Sequence, residues 1–447
     1  MASKQKLGEE EDKISNLPES ILVQILSCLS TKDAVGTCVL SKTWCYLWRS
    51  ITKLRFDNLE LRSLQNKFKA GKKKCFADFV SRVLLHLTTS SIHSFSLNVV
   101  SNGYDSSLMN TWISAVLHRR VGKLMIYYHP THSYSSLTIL CSQSLFSCKS
   151  LVHLSLNMSC IVRLPAFVHL PNLKALELSK VHFRGDSSSD SKDVTLSFPV
   201  LKKFESNSCF WHDVQNVSLQ VPLLETALLK FHSSPHVDEP ICIIKFCASC
   251  HLEFSYEGTV SSQQYILSDP SLALNASAIL DFRSKVDDRT CKLIRQFSHV
   301  KYLRLDSIEV SAEAKDTFAN LPAFIMLRYL KLRFVKGDML MELLPKTPNL
   351  TILEIEVLLK FDEELLDSAI VPNCLSDSLK EFKLTELTWS EDDLHLAKYV
   401  MENGLVLELL SFSSTCSSGI SKTAFSVVAH SVIMLPQPPT EFPSHIA

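Results

Sequence analysis

Glycine is scarce in this chain. The 447 residues include 10 glycines, about 2% against a usual share near 7%. The closest two, Gly404 and Gly419, stand 15 residues apart. GxGxxG, GxxxxGK[ST] and GxSxG all need two or more glycines within a few residues, because the backbone must approach a phosphate closely or adopt positive φ. That spacing rules out these three motifs, and so argues against a P-loop NTPase, a typical Rossmann enzyme, a kinase Gly-rich loop and a GxSxG hydrolase. Net charge is lacking as well: Lys+Arg and Asp+Glu balance at 46 each. A protein that lives on nucleic acid carries a basic field, so no nucleic-acid partner is expected. No apolar run reaches the 18 residues a membrane helix needs, so no membrane partner is expected either. The opening residues MASKQKLGEEEDK have no apolar stretch of the kind a secretory signal requires. An intracellular setting, nuclear and/or cytoplasmic, is therefore expected. The 14 cysteines then read as reduced thiols, mostly buried. The sequons at Asn157, Asn216, Asn275 and Asn349 read as chance. Lys69 and Lys72 to Lys74 read as a solvated loop.

What is present begins with ISNLPESILVQILSCLSTKDAVGTCVLSKTWCYLWRSITKLRFD. Ile21, Leu22, Ile25, Leu26 and Leu29 recur at three and four, one stripe of an amphipathic helix entered at Pro18. Ser30 and Asp33 stand in a capping-box relation before a second helix through Val35, Val39 and Leu40. Ser41 can cap a third, on which Trp44 and Trp48 share a face. So short a bundle cannot bury that much apolar surface alone, so its surplus should dock on a partner or on the next domain.

A second pattern, apolar-x-x-apolar-x-apolar, then returns along the chain. It runs Ile92-Phe95-Leu97, Val121-Leu124-Ile126, Leu151-Leu154-Leu156, Leu173-Leu176-Leu178, Leu201-Phe204-Ser206 and Leu224-Ala227-Leu229. After a step of 76 it resumes at Val300-Leu303-Leu305, Leu327-Leu330-Leu332, Leu350-Leu353-Ile355 and Leu379-Phe382-Leu384. Two faded copies should lie inside the long step, one of them near Leu274-Ser277-Ile279. The mean step is then about 26 residues, inside the leucine-rich-repeat range. Alternation of period two suits short half-buried strands, and each unit's apolar face needs a stacked neighbour. Arg184 to Asp193 reads as a polar loop between two repeats. Towards the end, Ser390 with Asp393 should cap a helix closed at Gly404, where a left-handed residue is wanted. Val406 to Leu410 should be a closing strand.

The first of these stretches resembles the F-box. Leu17-Pro18, Ile21-Leu22, Ile25-Leu26, Leu29, Thr31-Lys32-Asp33, Val39-Leu40-Ser41-Lys42 and Trp44-x-x-x-Trp48 fall where that motif has them. The last resembles the FBD domain through Cys374-Leu375, Ser378-Leu379-Lys380, Glu391-Asp392-Asp393, Lys398-Tyr399, Glu402-Asn403 and Leu405-Val406-Leu407-Glu408. Over residues 14–412 the chain resembles the plant F-box/FBD/LRR family. The resemblance implies an α/β chain. A three-helix F-box (14–56) leads into an irregular leucine-rich-repeat solenoid (57–370) with parallel strands on its concave face. An α+β FBD module (371–413) caps it. Residues 1–13 are expected to be an acidic disordered leader and residues 414–447 a poorly ordered tail.

It further implies a substrate-recognition subunit of an SCF-type (Skp-cullin-F-box) E3 ubiquitin ligase. The partners are a Skp-family adaptor, the cullin-RING ligase behind it, and an unknown protein substrate on the repeats. Leu17, Pro18, Ile21, Leu22, Ile25, Leu26, Leu40, Trp44 and Trp48 would form the adaptor-binding set. A scaffold that binds partners without ubiquitin transfer is the alternative, and an enzyme using a His/Asp/Glu site in the repeats ranks third. No catalytic residue, cofactor or metal is expected. Cys247-x-x-Cys250-His251 matches a haem-attachment or half-zinc spacing but lacks a completing pair, and Cys242 nearby suits a buried strand. His129-x-x-His132 and His232-x-x-x-His236 fall in Pro/Ser-rich stretches, and Glu354 with Glu356 reads as a solvated strand face.

Overall fold

The computed structural model describes residues 14, 17–59, 72–100, 106–129, 138–140, 142–185, 192–231, 242–248, 252–258, 263–267, 277–282, 285–306, 309–361, 371–386, 390–414 and 423–428. The chain forms two compact units. The first is Met1–Leu201 with Cys209–Asp213, and the second is Lys202–Ser208 with Val214–Ala447.

The first unit opens with three short helices, α1 (Glu19–Leu26), α2 (Thr31–Gly36) and α3 (Trp44–Leu47). Strand β1 (Lys53–Asp57) comes next, and then helix α4 (Lys72–His86). Lys72 to Lys74 thus open a helix rather than lie in the expected loop. The chain goes on through β2 (Ser94–Val100), α5 (Ser106–His118), β3 (Lys123–His129), β4 (Thr138–Leu140) and α6 (Ser142–Ser147). Strands β5 (His153–Leu164), β6 (Phe167–His169), β7 (Ala175–Gly185) and β8 (Asp193–Ser197) complete the run. His129 ends a strand instead of lying in a loop. Parallel pairing links β1, β2, β3, β5 and β7 in order. Leu54, Phe95, Leu124, Leu154 and Leu176 stand in one register row, and Phe56, Leu97, Ile126, Leu156 and Leu178 in the next. All ten are buried. Helices α4 and α5 pack on each other through Trp112, whose indole N–H donates to Ser81 Oγ at 2.9 Å and whose ring meets Phe76 edge-on.

The second unit holds β9 (Lys203–Asn207), and β10 (Phe210–His212) returns to the first unit beside β7. After β11 (Asn216–Val221), the second unit has β12 (Thr226–Phe231), β13 (Cys242–Ala248), β14 (Glu253–Gly258), β15 (Gln263–Leu267) and β16 (Ser277–Asp281). Helix α7 (Asp288–Gln296), β17 (Tyr302–Asp306), α8 (Lys315–Ala319), β18 (Tyr329–Lys336), α9 (Gly337–Leu343) and β19 (Ile352–Lys360) come next. The chain continues with α10 (Asn373–Asp377), β20 (Glu381–Leu384), α11 (Glu391–Asn403), β21 (Leu409–Ser414) and β22 (Thr423–Val428). Strands β9, β12, β14, β16, β17, β18, β19, β20 and β21 pair in parallel, in that order. Their inward rows are Phe204, Ala227, Phe254, Ala278, Leu303, Leu330, Leu353, Phe382 and Leu410, then Ser206, Leu229, Tyr256, Leu280, Leu305, Leu332, Ile355, Leu384 and Phe412.

The long step between Ala227 and Leu303 holds two such strands, β14 and β16. The copy expected at Leu274-Ser277-Ile279 is one residue out of register. Ala278 and Leu280 point inward and are fully buried, while Ser277 and Ile279 do not. A slip of one residue exchanges the faces of a strand. The closing strand runs Leu409–Ser414, not from Val406 to Leu410, and β22 pairs with it antiparallel within the expected tail.

Two glycines have steric reasons of different kinds. Gly258 sits at φ +120°, and a Cβ there would lie 1.8 Å from the Phe231 carbonyl oxygen, so only glycine fits this strand end. Gly404 has φ −85° and does not take the left-handed conformation expected of it. A Cβ there would stand 2.6 Å from the Val400 carbonyl oxygen, so the position demands closeness, not handedness.

Candidate functional site

The N-terminal helices divide their apolar residues between two faces. Pro18, at φ −55° and ψ 143°, sets the entry of α1, and its carbonyl accepts from the Ile21 and Leu22 amides. The Asp33 amide donates to Ser30 Oγ at 3.2 Å, and Ser30 Oγ donates to the Asp33 carboxylate at 2.8 Å, which starts α2. The third helix is a single turn, with the Trp44 amide donating to Ser41 Oγ at 3.4 Å. Leu22, Leu26, Ala34, Trp44, Leu47 and Trp48 are buried among themselves and their surroundings. The Trp48 indole donates to the Cys45 carbonyl at 3.1 Å. Leu17, Ile21, Ile25 and Leu29, each four residues from the next, form a separate stripe about 40% exposed. Val39, Leu40 and Tyr46 add to the open surface at 84%, 65% and 60%.

The nine residues of the expected docking set therefore part company. Leu17, Pro18, Ile21, Ile25 and Leu40 are open to solvent, whereas Leu22, Leu26, Trp44 and Trp48 build the core that holds them. Adjacent apolar residues such as Ile21 and Leu22 give no local signal of which stripe is inner and which outer. Leu29, Val39 and Tyr46 stand exposed outside that set. The signal for Val39 was a contiguous apolar pair just ahead of Ser41 with no partner at i+4 in the helices. The helical cluster is tied to β1 and β2. The Arg55 amide donates to the fully buried Thr31 Oγ1 at 2.7 Å, and the His93 and Ser94 amides donate to the Thr52 carbonyl at 2.8 and 3.1 Å.

A second site lies on the outward face of β17, β18 and β19. Arg304 donates twice to Asp306, at 2.8 and 2.9 Å. Lys331 bridges Glu354 and Glu356, each at 2.7 Å, and Arg333 reaches Glu356 at 3.1 Å. The Tyr329 hydroxyl donates to Glu354. Burial alone would raise the Glu354 carboxyl, but the hydrogen bonds from Lys331 and Tyr329 outweigh it and hold it below the usual carboxylate range. Burial would likewise lower the Lys331 ammonium, and its two carboxylate partners raise it instead. Glu354 and Glu356 are thus only 12% and 13% exposed within an ion network, not the open acidic face expected of them.

Among the described residues, no group of three or more His, Cys, Asp or Glu is placed to hold a metal ion, and no helix is long and apolar enough to cross a membrane. Cys242 is buried on β13, and burial pushes its thiol up to about 12. Cys291 and Cys374 are pushed up to about 11, again first by burial. A thiol this protonated is a poor nucleophile at neutral pH. Cys250, His251, His132, His232 and His236 lie outside the described residues.

Comparison with known proteins adds an outside measure. The F-box domain model matches residues 14–56 and the FBD model matches residues 367–412. An F-box/FBD/LRR-repeat protein of Arabidopsis thaliana is 32% identical over 429 residues, covering 92% of this chain and 91% of its own length. An FBD-associated F-box protein of the same plant is 28% identical, over 90% of this chain and 93% of its own. Another Arabidopsis F-box/FBD/LRR-repeat protein is 26% identical, over 97% of this chain and 95% of its own.

Proposed function

The chain belongs to the F-box/FBD/LRR-repeat family, and from that premise we propose that it is the substrate-recognition subunit of an SCF-type ubiquitin ligase. The observation that carries the reading is the division of the N-terminal helices. Leu17, Ile21, Ile25 and Leu29 form an exposed stripe beside Val39 and Leu40, while a separate stripe holds the core. An apolar face laid against helices of another protein gains about 1 kcal/mol or more for each side chain it buries. The adaptor is of the Skp family and leads to the cullin-RING machinery. The protein is intracellular.

The parallel strands of each unit are read as irregular leucine-rich repeats. Support comes from the two inward, mostly apolar rows and, in the second unit, a step of about 26 residues between successive strands. The FBD residues close the series through α11 and β21. A protein substrate held on the repeats is brought near the charged conjugating enzyme, so this chain contributes proximity and no covalent step.

The test is a pull-down with a recombinant Skp-family adaptor. Wild type is retained, and Ile21→Asp/Ile25→Asp loses at least about tenfold in affinity, since two charges would be desolvated on docking. Both positions are exposed, so the variant's melting transition stays within about 0.5 kcal/mol of wild type. No retention of wild type would sink the reading. Retention without cullin-dependent ubiquitin transfer to any captured protein would favour a scaffold.

A further inference from the structure

The residues that lead into each strand form a periodic surface of their own. In the first unit the His93 amide donates to the Thr52 carbonyl at 2.8 Å, Lys123 to His93 at 2.9 Å, Val152 to Gly122 at 2.7 Å and Lys174 to Val152 at 2.8 Å. The ladder of β1, β2, β3, β5 and β7 therefore extends past the strand starts into the turns before them. Lys53, Ser94, Lys123 and His153 stand opposite one another in the first register row. Lys149 lies in the turn before β5, where its carbonyl accepts from the Asn172 side-chain amide at 2.9 Å. Arg120, at φ +50°, lies in the turn before β3. Lys53, Arg120, Lys123, Lys149 and Lys174 are all exposed. Five parallel strand starts, about 4.8 Å from one to the next, give this rim a length of about 19 Å.

The second unit builds the same rim and neutralises it. There the Glu225 amide donates to the Lys202 carbonyl, Lys380 to Thr351 and Glu408 to Lys380, at 2.8–2.9 Å. The Lys202 ammonium meets Glu225 at 2.6 Å, and Lys380 meets Glu408 at 2.7 Å. In the first unit none of the five rim cations has an acidic partner among the described residues. Of the carboxylates on these strands, Glu177 faces His153 at 3.5 Å and Asp57 accepts from the Asn98 side chain at 2.9 Å. The imbalance extends to the whole units. The first holds 24 Lys and Arg against 15 Asp and Glu, and the second 22 against 31. A net charge of zero thus conceals a basic unit and an acidic one.

We propose that the entry rim of the first unit is a docking surface for a short acidic segment of a partner protein. Its length of about 19 Å is that of roughly six extended residues. Lysine ammonium groups on flexible stems suit carboxylates that arrive without a fixed geometry. An incoming carboxylate displaces no resident acid here, whereas on the second unit's rim it would compete with Glu225 or Glu408. The rim has no exposed aromatic side chain on which a nucleic-acid base could stack. The second unit's excess of acid also opposes a long polyanion. A short acidic stretch meets neither obstacle. The rim shares no residue with the stripe of Leu17, Ile21, Ile25 and Leu29, so an acidic partner and the adaptor need not compete for the same side chains.

The experiment uses the full chain and fluorescence anisotropy with three labelled probes: a peptide carrying a run of glutamates, the same peptide with glutamine in their place, and single-stranded oligouridylate. The glutamate peptide is expected to bind about tenfold more tightly than the glutamine peptide, with a margin that shrinks as salt is raised. Lys123→Gln/Lys149→Gln/Lys174→Gln loses that margin. Lys202→Gln, at the corresponding place in the second unit and paired with its own acid, keeps it. Equal binding of the two peptides, an unaffected triple variant, an equal loss in Lys202→Gln, or tighter binding of the RNA would each overturn the proposal. So would binding that appears only once residues 1–13 are removed, because the acidic run from Glu9 to Asp12 would then be the occupant. The replaced lysines are exposed, and circular dichroism of the triple variant should match wild type. Adaptor pull-down from the same preparations is unaffected by the triple variant, so a failure here leaves the receptor reading standing.

Discussion

The two outward sheet faces rest on the same kind of interior and treat charge in opposite ways. In the second unit, Arg304, Lys331 and Arg333 are each held by carboxylates of the same face. In the first, Arg163 and Arg184 stand in register with a histidine and with no acid among the described residues. Paired charges stiffen a surface and offer little net attraction, because each new partner must displace an old one. Unpaired charges in register cost the fold some repulsion and offer attraction to an anion. Inward leucine rows therefore say that a strand will stack, and only the outward alternate positions say what it can hold.

The first way to test that contrast is to attack what the two faces share. Leu154→Ala in the first unit and Leu330→Ala in the second each remove a fully or nearly fully buried side chain from an inward row. Each should cost about 2–5 kcal/mol, read as a fall in urea midpoint with separate probes for the two units. Unequal losses well outside that range would mean that the interiors differ and that the contrast between the faces has no common base.

A smaller effect separates the faces themselves. Lys331→Met removes the shared cation from Glu354 and Glu356, at 12% and 13% side-chain exposure, and leaves Glu354 to the Tyr329 hydroxyl and Glu356 to Arg333; it should cost roughly 1–3 kcal/mol. Arg184→Gln, which strands no acidic partner among the described residues, should stay within about 0.5 kcal/mol of wild type. A reversal of that order would erase the distinction.

The smallest effect is a dependence on pH. The folded Glu354 carboxyl titrates below its unfolded value, so the stability it contributes is complete above the ordinary carboxylate range. That contribution is lost as pH falls through the lowered folded value. Melting temperature should fall on acidification, and Glu354→Gln should shrink the fall. An undiminished fall in the variant would assign the acid sensitivity to other carboxylates.

Much of this could be read in advance from the residues, and the failures have physical causes. The inward rows were legible because Leu303-x-Leu305 and its relatives alternate with a period of two, and strand side chains do the same. β14 escaped because its row pair is Phe254 and Tyr256, without a leucine, and β16 was misplaced because Ile279 outweighs its smaller inward neighbour Ala278. The capping of α11 was legible in Ser390 and Asp393, whose side chains each accept from the other's backbone amide. At the N-terminal helices the residue types were legible but not the inner and outer stripes, since Ile21 and Leu22 are equally apolar. The pairing of His182 with His212 spans 30 residues and depends on the backbone turn at Lys180, and no local pattern announces it.

The anchorage of α2 has a mechanical consequence. Thr31 Oγ1 takes the Arg55 amide in a fully buried position, and the Arg49 and Thr52 carbonyls hold Thr88, His93 and Ser94. Together these tie the small helices to the first strands at several points. Whatever seats itself on Ile21 and Leu40 is given a fixed bearing on β1 and β2. In the language of gauges, that end of the first unit is a ruler clamped at its zero mark rather than a tether, and Thr31→Ala would blur the scale before it weakened the grip.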